Sequence, residues 1–194
     1  MPSAGEEEVL ELGDAGAWSA WLEANHAQTA AVWLKIAKRG SPVATLTQVE
    51  AIEGALCFGW IDGQLARHDE HFYRQRFTPR KPRSSWSELN RERALRLIAA
   101  GRMRPAGLAE LQAAQHDGRI EAAYAPQSRA TVPEDLQAAL DEHPAAREFF
   151  KTLAAGERYR FLYRLANTRD SGRRARRIAD YVELLGRHET LGRG

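Results

Sequence analysis

The sequence predicts an α+β fold: a small antiparallel sheet packed by helices, followed by a C-terminal helical unit. Three observations carry this expectation. Val32, Leu34 and Ile36 alternate with Trp33 and Lys35, the period-two pattern of a strand with one dry face. Two further runs, 61–67 and 71–78, flank the polar turn His68-Asp69-Glu70 and read as a hairpin. From residue 133 onward the apolar residues recur at helical spacing, as in Ile178, Tyr181, Val182 and Leu185.

The elements follow in order. Trp18, Trp21 and Leu22 lie on one face of a helix over about 14–24, which Asn25-His26 ends. After the first strand, Thr47-Gln48-Val49-Glu50 matches a capping box, in which hydroxyl and carboxylate satisfy reciprocal backbone donors. The helix it opens places Val49, Ile52 and Leu56 inward, and Gly59 closes it. Beyond the hairpin, Ser85-Trp86-Ser87-Glu88 forms a second capping box, opening a helix that carries Leu89, Ala94, Leu97 and Ile98 as far as Gly101. Pro105 opens the next helix, with Leu108 and Leu111 inward and Gly118 near its end. The Pro- and polar-rich stretch 126–132 reads as a linker between an α+β domain, 1–125, and a helical unit, 133–194. Within that unit Pro133 and Pro144 start helices, Phe149, Phe150 and Leu153 form an apolar face that Gly156 ends, and further helices span about 157–166 and 173–185.

Charge is segregated along the chain. Residues 1–34 hold six acids and no Lys or Arg, residues 74–104 hold ten Lys/Arg against two acids, and residues 158–193 hold ten Arg against four acids. Two basic blocks of this kind suggest an anionic partner: phosphate, nucleotide, lipid headgroup or nucleic acid. No apolar run reaches the roughly 20 residues of a membrane span, and the acidic N-terminus lacks the features of a secretory signal. A cytoplasmic location is therefore expected. The single cysteine, Cys57, excludes an intramolecular disulfide and any multi-cysteine metal site.

The segment 54–90 concentrates the residues with chemistry. Arg74, Arg76 and Thr78 share one strand face, and Arg80 extends that row toward the helix start near Ser85, where exposed backbone N–H groups attract anions. In this reading Arg76 and Arg80 supply charge, Trp60 and Trp86 wall the ligand, and Asp62, Ser87 and Asn90 orient polar groups. The competing assignment pairs Arg76 with Asp62 across the hairpin and leaves Ser85 as a simple cap. Cys57, on an apolar helix stripe, reads as a buried structural thiol. No nucleophile elbow, glycine-rich phosphate loop or HExxH pattern is present, so the sequence assigns no catalytic residue, metal site or cofactor. Arg173, Arg174, Arg176 and Arg177 open a helix, where positive charge opposes the dipole at roughly 0.3–1 kcal/mol each. That cost suggests nucleic-acid binding as an alternative function. A small-molecule enzyme using the Trp60/Arg76/Trp86 pocket is a third reading.

Trp21-Leu22 with Asn25-His26, Val32-Trp33-Leu34, Ala55-Leu56-Cys57-Phe58-Gly59-Trp60-Ile61-Asp62-Gly63, Arg76-Phe77-Thr78-Pro79-Arg80, Ser85-Trp86-Ser87 with Asn90, and Arg173–Ile178 span nearly the whole chain. On these pieces the chain resembles the YdeI/OmpD-associated family, also labelled bacteriocin-protection proteins. The resemblance implies an α+β N-terminal part, a helical C-terminal part, a link to stress and antimicrobial-peptide tolerance, and an indirect envelope-protein partner. It implies no settled biochemical activity.

Overall fold

The computed structural model describes residues 7–192. The described chain divides into two compact units. The first takes the residues up to Ser84 together with Asn90–Glu121, and the second takes Ser85–Leu89 together with those from Ala122 on. The expected α+β class is found.

The first unit is built on a sheet of β1 (Val9–Glu11), β2 (Val32–Ala37), β3 (Trp60–Arg67) and β4 (Phe72–Pro79), in the order β1-β2-β4-β3. The hairpin β3–β4 and the pair β2–β4 are antiparallel, as the alternation predicts. β1 was not anticipated: it pairs parallel to β2, with Val9 opposite Trp33, so the sheet is mixed. Parallel neighbours need a crossover, and helix α1 (Ala15–Asn25) supplies it.

Asp14 caps α1 by accepting from Ala17 N at 2.8 Å. The capping box at Thr47 forms as predicted and opens α2 (Gln48–Cys57), and Gly59 follows that helix at φ +74°. The inward stripe of α2 differs from the expected one, because Val49 is exposed while Ala51, Ile52, Ala55 and Leu56 are buried. Gly54 explains the rotation: a Cβ there would meet the Trp18 ring at 2.5 Å, so α1 lies over the glycine and turns Val49 outward. Trp18 also anchors the layer, stacking on Trp21 at 5.3 Å, meeting Phe77 at 5.7 Å and donating from Nε1 to Ala51 O at 3.0 Å.

Helix α3 (Glu88–Ala99) starts later than the Ser85 capping box predicts. Residues 86–88 are held instead by Tyr124, whose N–H donates to Trp86 O at 3.0 Å and whose carbonyl accepts from Glu88 N at 2.9 Å. An extended pairing of this kind keeps residues 85–87 out of the helix. Ala94 and Leu97 of α3 are buried, whereas Leu89 and Ile98 are exposed. Pro105 opens α4 (Pro105–His116) at its first turn; Leu111 packs inward, and Leu108 faces out.

The second unit contains α5 (Glu134–Asp141), α6 (Pro144–Thr152), α7 (Ala155–Ala166) and α8 (Ser171–Gly186). Gly156 does not stop a helix as expected but sits in the first turn of α7, with Ala154 N donating to the Glu157 carboxylate. Leu136, Leu140, Phe150, Phe161, Leu165, Tyr181 and Leu185 form the core. Asp135 ties α5 to α8, accepting from Arg174 Nε at 2.5 Å and from its second guanidinium nitrogen at 2.9 Å. Those hydrogen bonds hold the Asp135 carboxyl below the usual carboxylate range. A depressed folded value means the stabilisation is complete above the unfolded pKa of about 3.9 and is lost as pH falls through the folded value. The variant D135N should therefore be less stable than wild type at pH 7, by about 1 kcal/mol at most for a half-exposed pair. Urea titrations across pH should show the two proteins converging below pH ~3.

Candidate functional site

The sheet has two unlike faces. Val32, Leu34, Gln75 and Phe77 are buried on the face that α1 covers. Trp33, Lys35, Arg74 and Arg76 alternate with them on the other face, partly exposed. Trp60 pairs with Pro79 and Asp62 with Phe77, so both belong to the helix-covered face. Arg76 is therefore separated from Trp60 and Asp62 by the sheet itself.

On the open face Arg76 grips the carboxylate of Glu7 in bidentate fashion, with Nε at 2.7 Å from one oxygen and a terminal nitrogen on the other. Its partner is thus Glu7 rather than Asp62. The guanidinium hydrogen bonds hold the Glu7 carboxyl below its ordinary value, and a hydrogen bond from the Trp33 side chain adds to this. The same contacts raise the Arg76 pKa. The Arg74 guanidinium lies 4.7 Å from the centre of the Trp33 ring, and Lys35 reaches Glu11 at 3.0 Å. Together these make a cradle of aromatic ring and guanidinium groups already holding a planar oxyanion. Glu7 and Trp33 were not among the site residues the sequence singled out, whereas Arg74 was placed on the same strand face as Arg76. The available signal was a tryptophan at the wet position of an alternating strand.

On the covered face Asp62 is part of a partly buried polar chain. Gln75 Nε2 donates to Asp62 Oδ2 at 3.2 Å and Gln75 Oε1 accepts from Gln48 at 3.1 Å. Asn90 Nδ2 lies 3.5 Å from Asp62 Oδ1, and Asn90 Oδ1 accepts from Arg93 at 2.8 Å. Asp62 and Asn90 are thus brought together, in a network that satisfies their polar groups. Trp60 is 1% exposed, donates to His26 O at 3.3 Å and meets Trp21 edge-on at 6.1 Å. Arg80 is buried, with its N–H on Gly59 O at 3.0 Å. Trp86 and Ser87 belong to the second unit, where Ser87 bridges Tyr124.

Cys57 is buried, and burial pushes its thiol above the ordinary value, which favours the unreactive protonated form. Arg119, which the sequence gave no reason to select, is 3% exposed and bound by Glu110 at 2.6 Å, Asp117 at 2.7 Å and Ser84 O at 3.3 Å. Among the arginines that open α8, Arg174 is committed to Asp135 and to Leu165 O, and Arg177 to Arg164 O and Thr168. Arg173 and Arg176 are exposed. No group of three or more His, Cys, Asp or Glu suited to a metal ion occurs among the described residues. No described helix is long and apolar enough to cross a membrane.

A mixed four-stranded sheet with helices on one face, joined to a separate helical unit, defines a two-part α+β protein. The chain belongs to the family described as Domain of unknown function (DUF8412), whose family model matches residues 10–110 and so takes in β2, β3, β4 and most of β1. Residues 129–188, which hold α5 to α8, match the family described as Bacteriocin-protection, YdeI or OmpD-Associated. The expected YdeI/OmpD-associated relationship is thus found in the C-terminal helices, while the CFGWIDG and RFTPR segments fall within the other match. No curated protein and no solved structure matches.

Proposed function

We propose that this is a non-catalytic, cytoplasmic binding protein of the YdeI/OmpD-associated type, acting in bacterial tolerance of antimicrobial peptides, that takes an anionic ligand at Arg76. The observation carrying this reading is the Glu7 carboxylate held by Arg76 beside Trp33. A carboxylate already seated there supports an anionic ligand, and an external phosphate or carboxylate with higher charge competes for the same donors. Supporting the non-catalytic part, Asp62 is engaged by Gln75 and Asn90, and the Cys57 thiol is buried.

The reading is tested by a thermal-shift screen of phosphate, nucleotides and phosphorylated headgroups. A ligand at a hundred times its Kd should raise the wild-type melting temperature by roughly 5–10 °C. The E7Q variant should show a larger rise at the same ligand concentration, and Arg76→Ala should show a smaller one. An unchanged rise in the Arg76→Ala protein overturns the assignment. Binding of short nucleic acid that survives Arg76→Ala and fails in an Arg173→Ala/Arg176→Ala variant would move the function to the second unit.

A further inference from the structure

Between α7 and α8 lies a hollow of about 600 Å³, lined by Arg164, Arg177, Arg187, Asp180, Glu183 and Tyr181 among others. Tyr181 is 4% exposed, its ring packed edge-on against Phe161 at 4.8 Å, yet its buried hydroxyl has no hydrogen-bond partner among the described residues. A buried phenol without a partner is costly, so a native fold that keeps one calls for an occupant or a use. Arg164, Arg177 and Asp180 line the same hollow as Tyr181.

The cations around the hollow are not equivalent. Arg187 is neutralised by Glu183 at 2.6 Å, and Arg177 is fixed by Arg164 O and Thr168, so its position is preset. The Arg164 side chain has no hydrogen-bond or ion-pair partner among the described residues and is exposed at the rim. Asp180 adds one carboxylate to the lining. Two guanidinium groups and a phenol donate, while a lone carboxylate can only accept. An oxyanion that still carries a proton satisfies both kinds of partner, whereas a fully deprotonated one is repelled by Asp180.

We propose that this hollow is a second anion site, taking a proton-bearing phosphate group, with Arg164, Arg177 and the Tyr181 hydroxyl donating and Asp180 accepting the P–OH. It is independent of Arg76 and of the function proposed for that residue. Calorimetric titration of the full chain with sodium phosphate, glycerol phosphate and sodium sulfate tests it. Wild type should bind inorganic phosphate at least tenfold more tightly than sulfate, which carries no proton at neutral pH. Arg164→Ala and Tyr181→Phe should each weaken phosphate at least tenfold, and Asp180→Asn should abolish the preference over sulfate. Tyr181→Phe removes only an unsatisfied hydroxyl, so in phosphate-free buffer its melting temperature should equal or exceed that of wild type. Arg76→Ala should leave this site unchanged, so the two sites fail separately. At pH 7 most glycerol phosphate has lost its last proton, so it should bind more weakly than inorganic phosphate; tighter binding would overturn the role given to Asp180. Wild-type affinity for phosphate in both Arg164→Ala and Tyr181→Phe, or no phosphate binding by wild type, overturns the proposal.

Discussion

Replacing Gly107 with alanine should destabilise the first unit by more than about 3 kcal/mol, beyond the usual overpacking cost. Gly107 lies in the buried first turn of α4, and a Cβ there would stand 2.3 Å from Cys57 O and 2.7 Å from both Cys57 C and Leu56 O. All three are backbone atoms, so no side-chain rotation relieves the overlap. The end of α2 is also tied to the start of α4, because Cys57 O accepts from the N-cap Arg104 N at 3.0 Å. Accommodating the methyl group therefore means lifting α4 away, which breaks that bond and loosens Leu111 and Ala114, both buried. Guanidinium unfolding followed by tryptophan fluorescence reads this directly, since Trp18, Trp21, Trp33 and Trp60 lie in the first unit. A midpoint matching wild type would show that α4 does not seat against the end of α2.

Trp18→Ala should cost about 3–5 kcal/mol, the range for emptying a large aromatic site. The ring is 0% exposed and fills the space over Gly54 between α1, α2 and the sheet. Its loss removes the contacts with Trp21 and Phe77 and leaves Ala51 O without the donor at 3.0 Å. Trp18→Phe separates these contributions. It keeps most of the burial and loses the hydrogen bond, so it should recover more than half of the stability. The same fluorescence-detected unfolding, repeated by circular dichroism because a reporter ring is deleted, measures both variants.

Local patterns carried most of the fold. The alternation in 32–37, the capping box at Thr47, the glycine after α2 and the prolines opening α4 and α6 depend on nearest neighbours, and each is found where the sequence places it. The misses involve partners distant in the chain. β1 is three residues long and exists through pairing with β2, 24 residues on in register. The delayed start of α3 depends on Tyr124, and the stripe of α2 on Trp18.

The site was legible in the same measure. Arg76 could be marked as a guanidinium on a half-exposed strand, but its partner Glu7 lies 69 residues away. The sheet register, with its irregularity between Asp62 and Leu65, decides which β3 side chains share a face with Arg76, and composition does not encode it. Partly buried networks such as Gln48–Gln75–Asp62–Asn90 are invisible for the same reason: each member is an ordinary polar residue until the fold brings them together.

The central claim is that the Arg76 guanidinium exchanges an internal carboxylate for an external oxyanion. A ¹H–¹⁵N spectrum resolving the arginine Nε–H signals, recorded during titration with phosphate or a nucleotide, tests it most directly. The account predicts that the Arg76 signal, identified by its loss in Arg76→Ala, moves in a saturable manner, and that in E7Q it starts elsewhere and saturates at lower ligand concentration. An Arg76 signal that stays fixed in both proteins at saturating ligand would contradict it.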